Sequence, residues 1–258
     1  MCRAKRSARV VSEHVRSDLG GVVQSFQSAG HVRLDAFFEP DEIARLADAL
    51  FRARENRTDV ADGDSFARNV FLSQSSADVA TFVMDPRIGE LAAALLGCRR
   101  IRFMQDVLHE VPDQRHTPWH RDSEFWSFSG AGALTIWIPL QDTPLTMSPL
   151  RYATGSHLVT DTRPLRPLQT ACIPLRYRVS SSPLRLGDAA VHHYETLHGA
   201  ARNHAGGRPR RALAVHLIDA DALVRTARFP RQANHAARCG WDRIQDGGRF
   251  TDEVAPLI

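Results

Sequence analysis

The chain changes character near Arg100, and that change limits the folds open to it more than any other feature. Upstream, apolar residues recur at helical spacing. Ile43, Leu46, Leu50 and Phe51 form one stripe behind Glu39-Pro40-Asp41. Pro40 suits a first helical turn, and acidic residues favour its positive end. Ile88, Leu91, Ala92, Leu95 and Leu96 form a second stripe over about 84–97, with Gly97 as its stop. Ser25 to Phe38 reads as a short helix, a turn and a strand, and Thr58 to Ser65 as a polar loop.

Downstream of Arg100 the segments are short, alternating or β-branched, and are bounded by Pro, Gly, Asp and Ser. Strands are expected at 101–110, 117–122, 132–140, 149–153, 170–178, 183–186, 188–194 and 209–218. Short strands after a helical first third predict an α+β protein whose β part is a closed barrel or double-sheet jelly roll. A length of 258 residues suits one such domain. The expected organisation is a loose basic arm over residues 1–20, carrying Arg3, Lys5, Arg6, Arg9 and Arg16, and a single domain over 21–258. The jelly-roll portion covers about 100–220. The tail from Ala222 is expected to be helix plus loop, packing back or covering the barrel mouth.

Charge and cysteine usage exclude several classes. A formal charge of +4, scattered along the chain, does not imply nucleic acid. Cys2, Cys98, Cys172 and Cys239 make no CxxC pair, so free thiols in a reducing compartment are expected and a structural zinc site is disfavoured. No apolar run reaches the ~18 residues of a membrane span, and the basic N-terminus lacks the apolar stretch of a secretory signal. A cytoplasmic protein, monomer or homodimer, is expected.

The chemistry-bearing stretch is Trp119-His120-Arg121-Asp122. In an extended segment alternate side chains share a face, so His120 and Asp122 point together. The third candidate is His198, in Leu197-His198-Gly199, where Gly199 lets backbone or ligand approach closely. Two His and one carboxylate form the facial triad of non-haem Fe(II) oxygenases, with open positions left for cosubstrate and O2. Asp122 favours hydroxylation over halogenation, because a halide would need that position to be Gly or Ala. Among the 12 histidines, His193 is the strongest rival for the third ligand, and His109, His116, His192 and His216 lie on or beside strands. Only one of His192 and His193 can face inward.

Arg208 to Leu217 reads as a strand whose Arg210, Ala212, Ala214 and His216 share one face. Arg211, Leu213, Val215 and Leu217 share the other, which suits packing against helices. The small-residue face leaves room for a ligand. Arg210 is therefore placed to grip the far carboxylate of a dicarboxylate through a bidentate fork.

In this order and spacing, the chain resembles the phytanoyl-CoA dioxygenase family of Fe(II)- and 2-oxoglutarate-dependent oxygenases. The resemblance rests on Phe38-Glu39-Pro40-Asp41-Glu42-Ile43, Trp119-His120-Arg121-Asp122, Trp137-Ile138-Pro139-Leu140-Gln141-Asp142, Gly155-Ser156-His157, Gly187-Asp188 and Leu197-His198-Gly199. It implies a cupin-like double-stranded β-helix with N-terminal helices packed on one sheet. It also implies Fe(II) on His120, Asp122 and His198, and 2-oxoglutarate on Arg210 with Trp137 and Gln105 nearby. The implied reaction oxidises an unactivated C–H bond of a small molecule, by hydroxylation, with release of succinate and carbon dioxide. Desaturation, cyclisation and epimerisation are other outcomes of the same chemistry.

Arg121 stands where the family commonly has Gln, and Ala200 where some relatives have Ser. The loop from His198 to Arg210 is one residue longer than usual, so Arg211 is the alternative anchor. Substrate is expected to enter over Phe125, Trp126 and Phe128, with Arg121 at the mouth; these aromatic walls suit an apolar or ring-bearing molecule. Arg151, Arg163, Arg166, Arg176 and Arg178 are available to an anionic group. The contrasting reading is a non-catalytic jelly-roll module that binds metal or ligand.

Overall fold

The computed structural model describes residues 18–56, 69–159 and 172–258. The expected N-terminal arm lies outside them up to residue 17, as do the Thr58 to Ser65 loop, Arg163 and Arg166. Four helices come first: α1 (Leu19–Ala29), α2 (Pro40–Glu55), α3 (Ala77–Val83) and α4 (Pro86–Leu96), with β1 (His31–Leu34) after α1. Helix α2 carries Pro40 in its first turn, Asp41 and Glu42 at its positive end, and Arg52 and Arg54 in its last turn, a charge order that follows the helix dipole. Helix α4 buries Ile88, Leu91, Ala92 and Leu95 and stops at Gly97, whose φ of 65° is left-handed. Helix α3 is a further element, seven residues long and opened by Ser76, whose hydroxyl accepts from the Val79 amide at 3.4 Å.

Two antiparallel sheets carry the rest. The larger has the order β1-β8-β5-β10-β2, built from β2 (Ile101–Val111), β5 (Ala133–Pro139), β8 (Ala189–His193) and β10 (Arg210–Asp219) with β1 at its edge. The smaller has the order β3-β9-β6-β7, from β3 (Thr117–His120), β6 (Arg151–Ala153), β7 (Val179–Ser181) and β9 (His198–Ala200). A short pair joins β4 (Phe128–Ser129) to β11 (Leu223–Val224). From β2 to β10 the chain crosses repeatedly between the two sheets, with β6 and β7 paired side by side in the small one, which is the winding of a double-stranded β-helix.

Period-two alternation gives the large sheet two different faces. Ile136, Ile138, Leu213, Val215 and Leu217 pack against the helices in one core with Ile43, Leu50, Leu91 and Leu95. Val107, Trp137, Ala190, Ala212 and Ala214 face the other way and meet Leu150, Tyr152 and Ala200 of the small sheet. The small side chains of β10 thus line the space between the sheets.

The structure corrects two strands. Residues 173–176 are a helical turn, α5 (Ile173–Arg176), because Pro174 removes an amide that a ladder would need. Residues 183–186 contribute only an isolated bridge, Leu184 to Thr143. The tail forms α6 (Pro230–Cys239), whose Ala236 and Cys239 pack in a second core with Ala133 of β5 and Ile218 of β10. Among the described residues no helix is long and apolar enough to cross a membrane, and Cys98, Cys172 and Cys239 are free.

Candidate metal centre and cosubstrate pocket

β3 pairs with β9, and the register sets His120 opposite His198. Their ring centroids lie 4.2 Å apart. His120 Nδ1 is 2.8 Å from the Pro118 carbonyl, and His198 Nδ1 is 2.9 Å from the Thr196 carbonyl. Each Nδ1–H donates to a carbonyl, so each Nε2 keeps its lone pair for the cavity. Burial pulls both imidazoles down to about 4, with His198 adding to it at His120 and His192 adding to it at His198, so both are neutral at neutral pH.

Asp122 follows β3 at the start of a short 3₁₀ turn (Asp122–Glu124). Its Oδ1 lies 3.8 Å from His120 Nε2 and 3.6 Å from His198 Nε2. Its Oδ2 accepts from Thr135 Oγ1 at 2.7 Å and from His192 Nε2 at 3.2 Å. Burial alone would raise the Asp122 carboxyl, but His198 and the His192 hydrogen bond outweigh it and hold the group well below the usual carboxylate range. One donor atom from each of His120, Asp122 and His198 lies within 4.8 Å of the others.

This donor set fits a divalent transition metal. Two neutral imidazoles and one carboxylate oxygen converge, and the other polar atom of each ligand is already engaged, as ligand orientation requires. Two His and one carboxylate with open positions select ferrous iron. His193, the rival third ligand, turns away: its ring faces Phe26 at 6.2 Å and its Nδ1 accepts from the Glu195 amide at 3.3 Å. Its neighbour His192 faces inward instead and braces Asp122.

The triad opens into a cavity of about 180 Å³. Arg210 lies in its wall, 3 % exposed, with Nη2 donating to Thr117 Oγ1 at 3.1 Å and Nη1 donating to the Ser148 carbonyl. No carboxylate of the described residues pairs with Arg210. Burial lowers its pKa to about 10, which still leaves a full positive charge. A buried, unpaired guanidinium is costly without an anionic ligand. Arg211 faces the helices, bonded to Glu110 Oε2 at 2.7 Å and lying 5.0 Å over the Phe51 ring. The register therefore sets Arg210, not Arg211, in the cavity.

Trp137, Gln105, Phe125 and Trp126 line the same cavity. Gln105 stands opposite His216 on β10, at the level of the triad, and Arg210 stands opposite Val111. Six strand residues separate the two levels, about 20 Å at the usual rise. Arg121 and Phe128, expected at the substrate mouth, do not line the cavity. Arg121 is buried and donates through Nε to the Glu195 carbonyl at 3.1 Å. Phe128 packs 5.1 Å from Tyr194 in a separate outer hollow, which shares only Trp126 with the inner cavity.

His109 and His216 also face inward, and burial lowers them to about 4 and about 3. Thr117, Thr135, Leu150 and His235 complete the wall and were not anticipated. The first three lie on or beside strands of the right phase. His235 comes from α6, and no local pattern marks it.

Residues 26–212 match the phytanoyl-CoA dioxygenase family. The chain belongs to that family. It is an iron- and 2-oxoglutarate-dependent oxygenase by that membership, and the sheets, the triad and the buried arginine are the parts such an enzyme needs. Similar solved structures include the non-haem α-ketoglutarate-dependent carbocyclase SnoK from nogalamycin biosynthesis, at 24% identity over 92% of this chain and 95% of that one, with a TM-score of 0.75. The epimerase SnoN of the same biosynthesis is 25% identical over 94% of this chain and 99% of that one, also at 0.75. EctD from S. alaskensis, solved with 2-oxoglutarate and 5-hydroxyectoine, is 19% identical over 86% and 80% of the two chains, at 0.67. No curated protein matches the sequence.

Proposed function

We propose that this chain oxidises an unactivated C–H bond of a small molecule, with iron held by His120, Asp122 and His198 and 2-oxoglutarate held by Arg210. One juxtaposition supports the reading: a two-His, one-carboxylate donor set and a buried arginine without an acidic partner share one cavity. Bound ferrous iron, with 2-oxoglutarate and oxygen, supplies the oxidising power, and the cosubstrate leaves as succinate and carbon dioxide. The protein's own work is positioning. Arg210 and Thr117 offer donors to the far carboxylate, and charge-assisted bonds of that kind fix orientation as well as affinity. The Ser148 carbonyl holds the guanidinium in place. Thr135 and His192 hold Asp122 Oδ2, so that Oδ1 faces the histidines. Phe125, Trp126, Trp137 and Leu150 keep the cavity apolar and exclude water.

The substrate is a small molecule of secondary metabolism, and hydroxylation is the outcome we assign. Epimerisation is the second reading, supported by the 25% identity with SnoN across 94% of this chain. The free thiols support a cytoplasmic setting. The test is succinate formation with Fe(II) and 2-oxoglutarate, paired with mass analysis of candidate substrates. Hydroxylation adds one oxygen atom to the product, and epimerisation leaves its mass unchanged. His120→Ala should abolish succinate formation with the fold intact; normal turnover in that variant would remove the assignment.

A further inference from the structure

Helix α6 contributes His235 to the cavity wall. His235 Nε2 lies 2.8 Å from Gln105 Oε1, and Cys239 Sγ lies 3.7 Å from the same oxygen. Burial pushes the Cys239 thiol up to about 12, so it keeps its proton. With the His235 Nε2–H and the Cys239 thiol donating to Oε1, the amide nitrogen is turned the other way. Gln105 is 4 % exposed and lines the cavity, and Oε1 is the amide atom that His235 and Cys239 engage. An amide N–H presented to a cavity wants an acceptor oxygen.

The charges of the cavity define that acceptor. Asp122 is the one carboxylate and Arg210 the one guanidinium among the described residues that line the cavity. Both are committed, to the metal and to the cosubstrate's far carboxylate. Burial lowers His235 to about 4 and His216 to about 3, so neither offers a cation to a second anion.

We propose that Gln105, oriented by His235 and Cys239 of α6, donates an N–H to an uncharged oxygen of the substrate, so that the site selects a neutral carbonyl-, ether- or hydroxyl-bearing molecule over a carboxylate. The proposal rests on the oxygenase reading above. It assigns Gln105 to the substrate and not to 2-oxoglutarate, and it makes α6 a specificity element.

The test uses the protein loaded with Fe(II) and 2-oxoglutarate under anaerobic conditions. Three ring-matched probes are titrated and followed by ligand-observed NMR: cyclohexanone, methylcyclohexane and cyclohexanecarboxylate. Cyclohexanone should bind about tenfold more tightly than either of the others, the worth of one buried hydrogen bond. Gln105→Leu and Gln105→Glu, which both lack the N–H, should each erase that preference and leave 2-oxoglutarate affinity unchanged. His235→Leu should reduce the preference by several-fold. Equal or absent binding of the three probes by the wild type would overturn the proposal. So would a Gln105→Glu variant that keeps the cyclohexanone preference but binds 2-oxoglutarate more weakly, since that result returns Gln105 to the cosubstrate. Altered melting temperatures with the cyclohexanone preference unchanged in all three variants would reduce the Gln105–His235 contact to a latch for α6 and also overturn it. A wild type that binds neither iron nor 2-oxoglutarate would remove the oxygenase reading itself, and the proposal with it.

Discussion

Thr135 Oγ1 lies 2.7 Å from Asp122 Oδ2, and this contact decides which carboxylate oxygen faces the two histidines. Thr135 sits on β5 in the large sheet, and Asp122 follows β3 in the small one. The hydrogen bond therefore ties the metal-facing carboxylate to the opposite wall. Thr135→Val keeps the side-chain shape and deletes the donor. Partners of metal ligands are worth ~10–100-fold in metal affinity. Iron affinity should fall within that range while the melting temperature of the metal-free protein stays within a few degrees. Ferrous iron titration of the variant measures it, and an unchanged affinity would show that His192 alone orients the carboxylate.

Arg210 and Arg211 are adjacent but face opposite sides of β10, and their environments predict opposite consequences. Arg210→Ala removes a buried charge whose hydrogen bonds to an anion are worth about 1.5–3 kcal/mol. The dissociation constant for 2-oxoglutarate should rise by at least tenfold, with iron affinity unchanged. Arg211→Ala loses a partly exposed pair with Glu110, worth at most about 1 kcal/mol. Its 2-oxoglutarate affinity should match the wild type. The reverse pattern in a 2-oxoglutarate titration would place the anchor one residue later.

The alternation of Arg210 to Leu217 made β10 legible in the sequence, because every inward position is small or polar and nearly every outward one is large and apolar. The same rule contained a warning that the substrate expectation missed. If His120 and Asp122 share a face, Arg121 between them must turn away, and it does, toward Glu195. Phe128 was grouped with Phe125 and Trp126 by nearness in sequence, but the 3₁₀ turn after Arg121 ends the strand periodicity. His192 and His193 offered both phases of one strand. Only the pairing of β8 with β5, which sets His192 opposite Thr135, chooses between them. His235 was out of reach for a different reason: it enters from a helix more than a hundred residues after Asp122, and tertiary packing alone brings it there.

Acid should destabilise the metal-free protein early. Burial pulls His31, His109, His193 and His235 down to about 4 from an ordinary value of 6.5, and His216 to about 3. In the unfolded chain each takes a proton near its ordinary pKa, so the unfolded state binds more protons as pH falls. Lowered histidine pKa values contribute stability that is complete above 6.5 and is lost as pH drops toward 4. The melting temperature of the metal-free protein should thus fall steeply through that window, with several protons taken up per unfolding event. A flat melting curve between these limits would mean that these imidazoles titrate as exposed groups do.

Gly199 separates His198 from Ala200 on β9, and the strand opposite leaves no space for a side chain there. A Cβ at this position would meet the Thr117 carbonyl oxygen at 2.9 Å and the Pro118 carbonyl oxygen at 3.0 Å. Both obstacles are backbone, and Pro118 is also the acceptor that fixes the His120 tautomer. Relief can come only from spreading β3 and β9, which moves His120 and His198 apart. Gly199→Ala should therefore weaken iron binding by at least tenfold, more than its effect on the hydrophobic core would suggest, because that core lies elsewhere between the large sheet and the helices. The decisive measurement pairs iron affinity with far-ultraviolet circular dichroism. Loss of iron affinity with a native spectrum would show that the β3–β9 spacing sets the distance between the two imidazole ligands, and full iron affinity would show that the strands accommodate the methyl group without moving them.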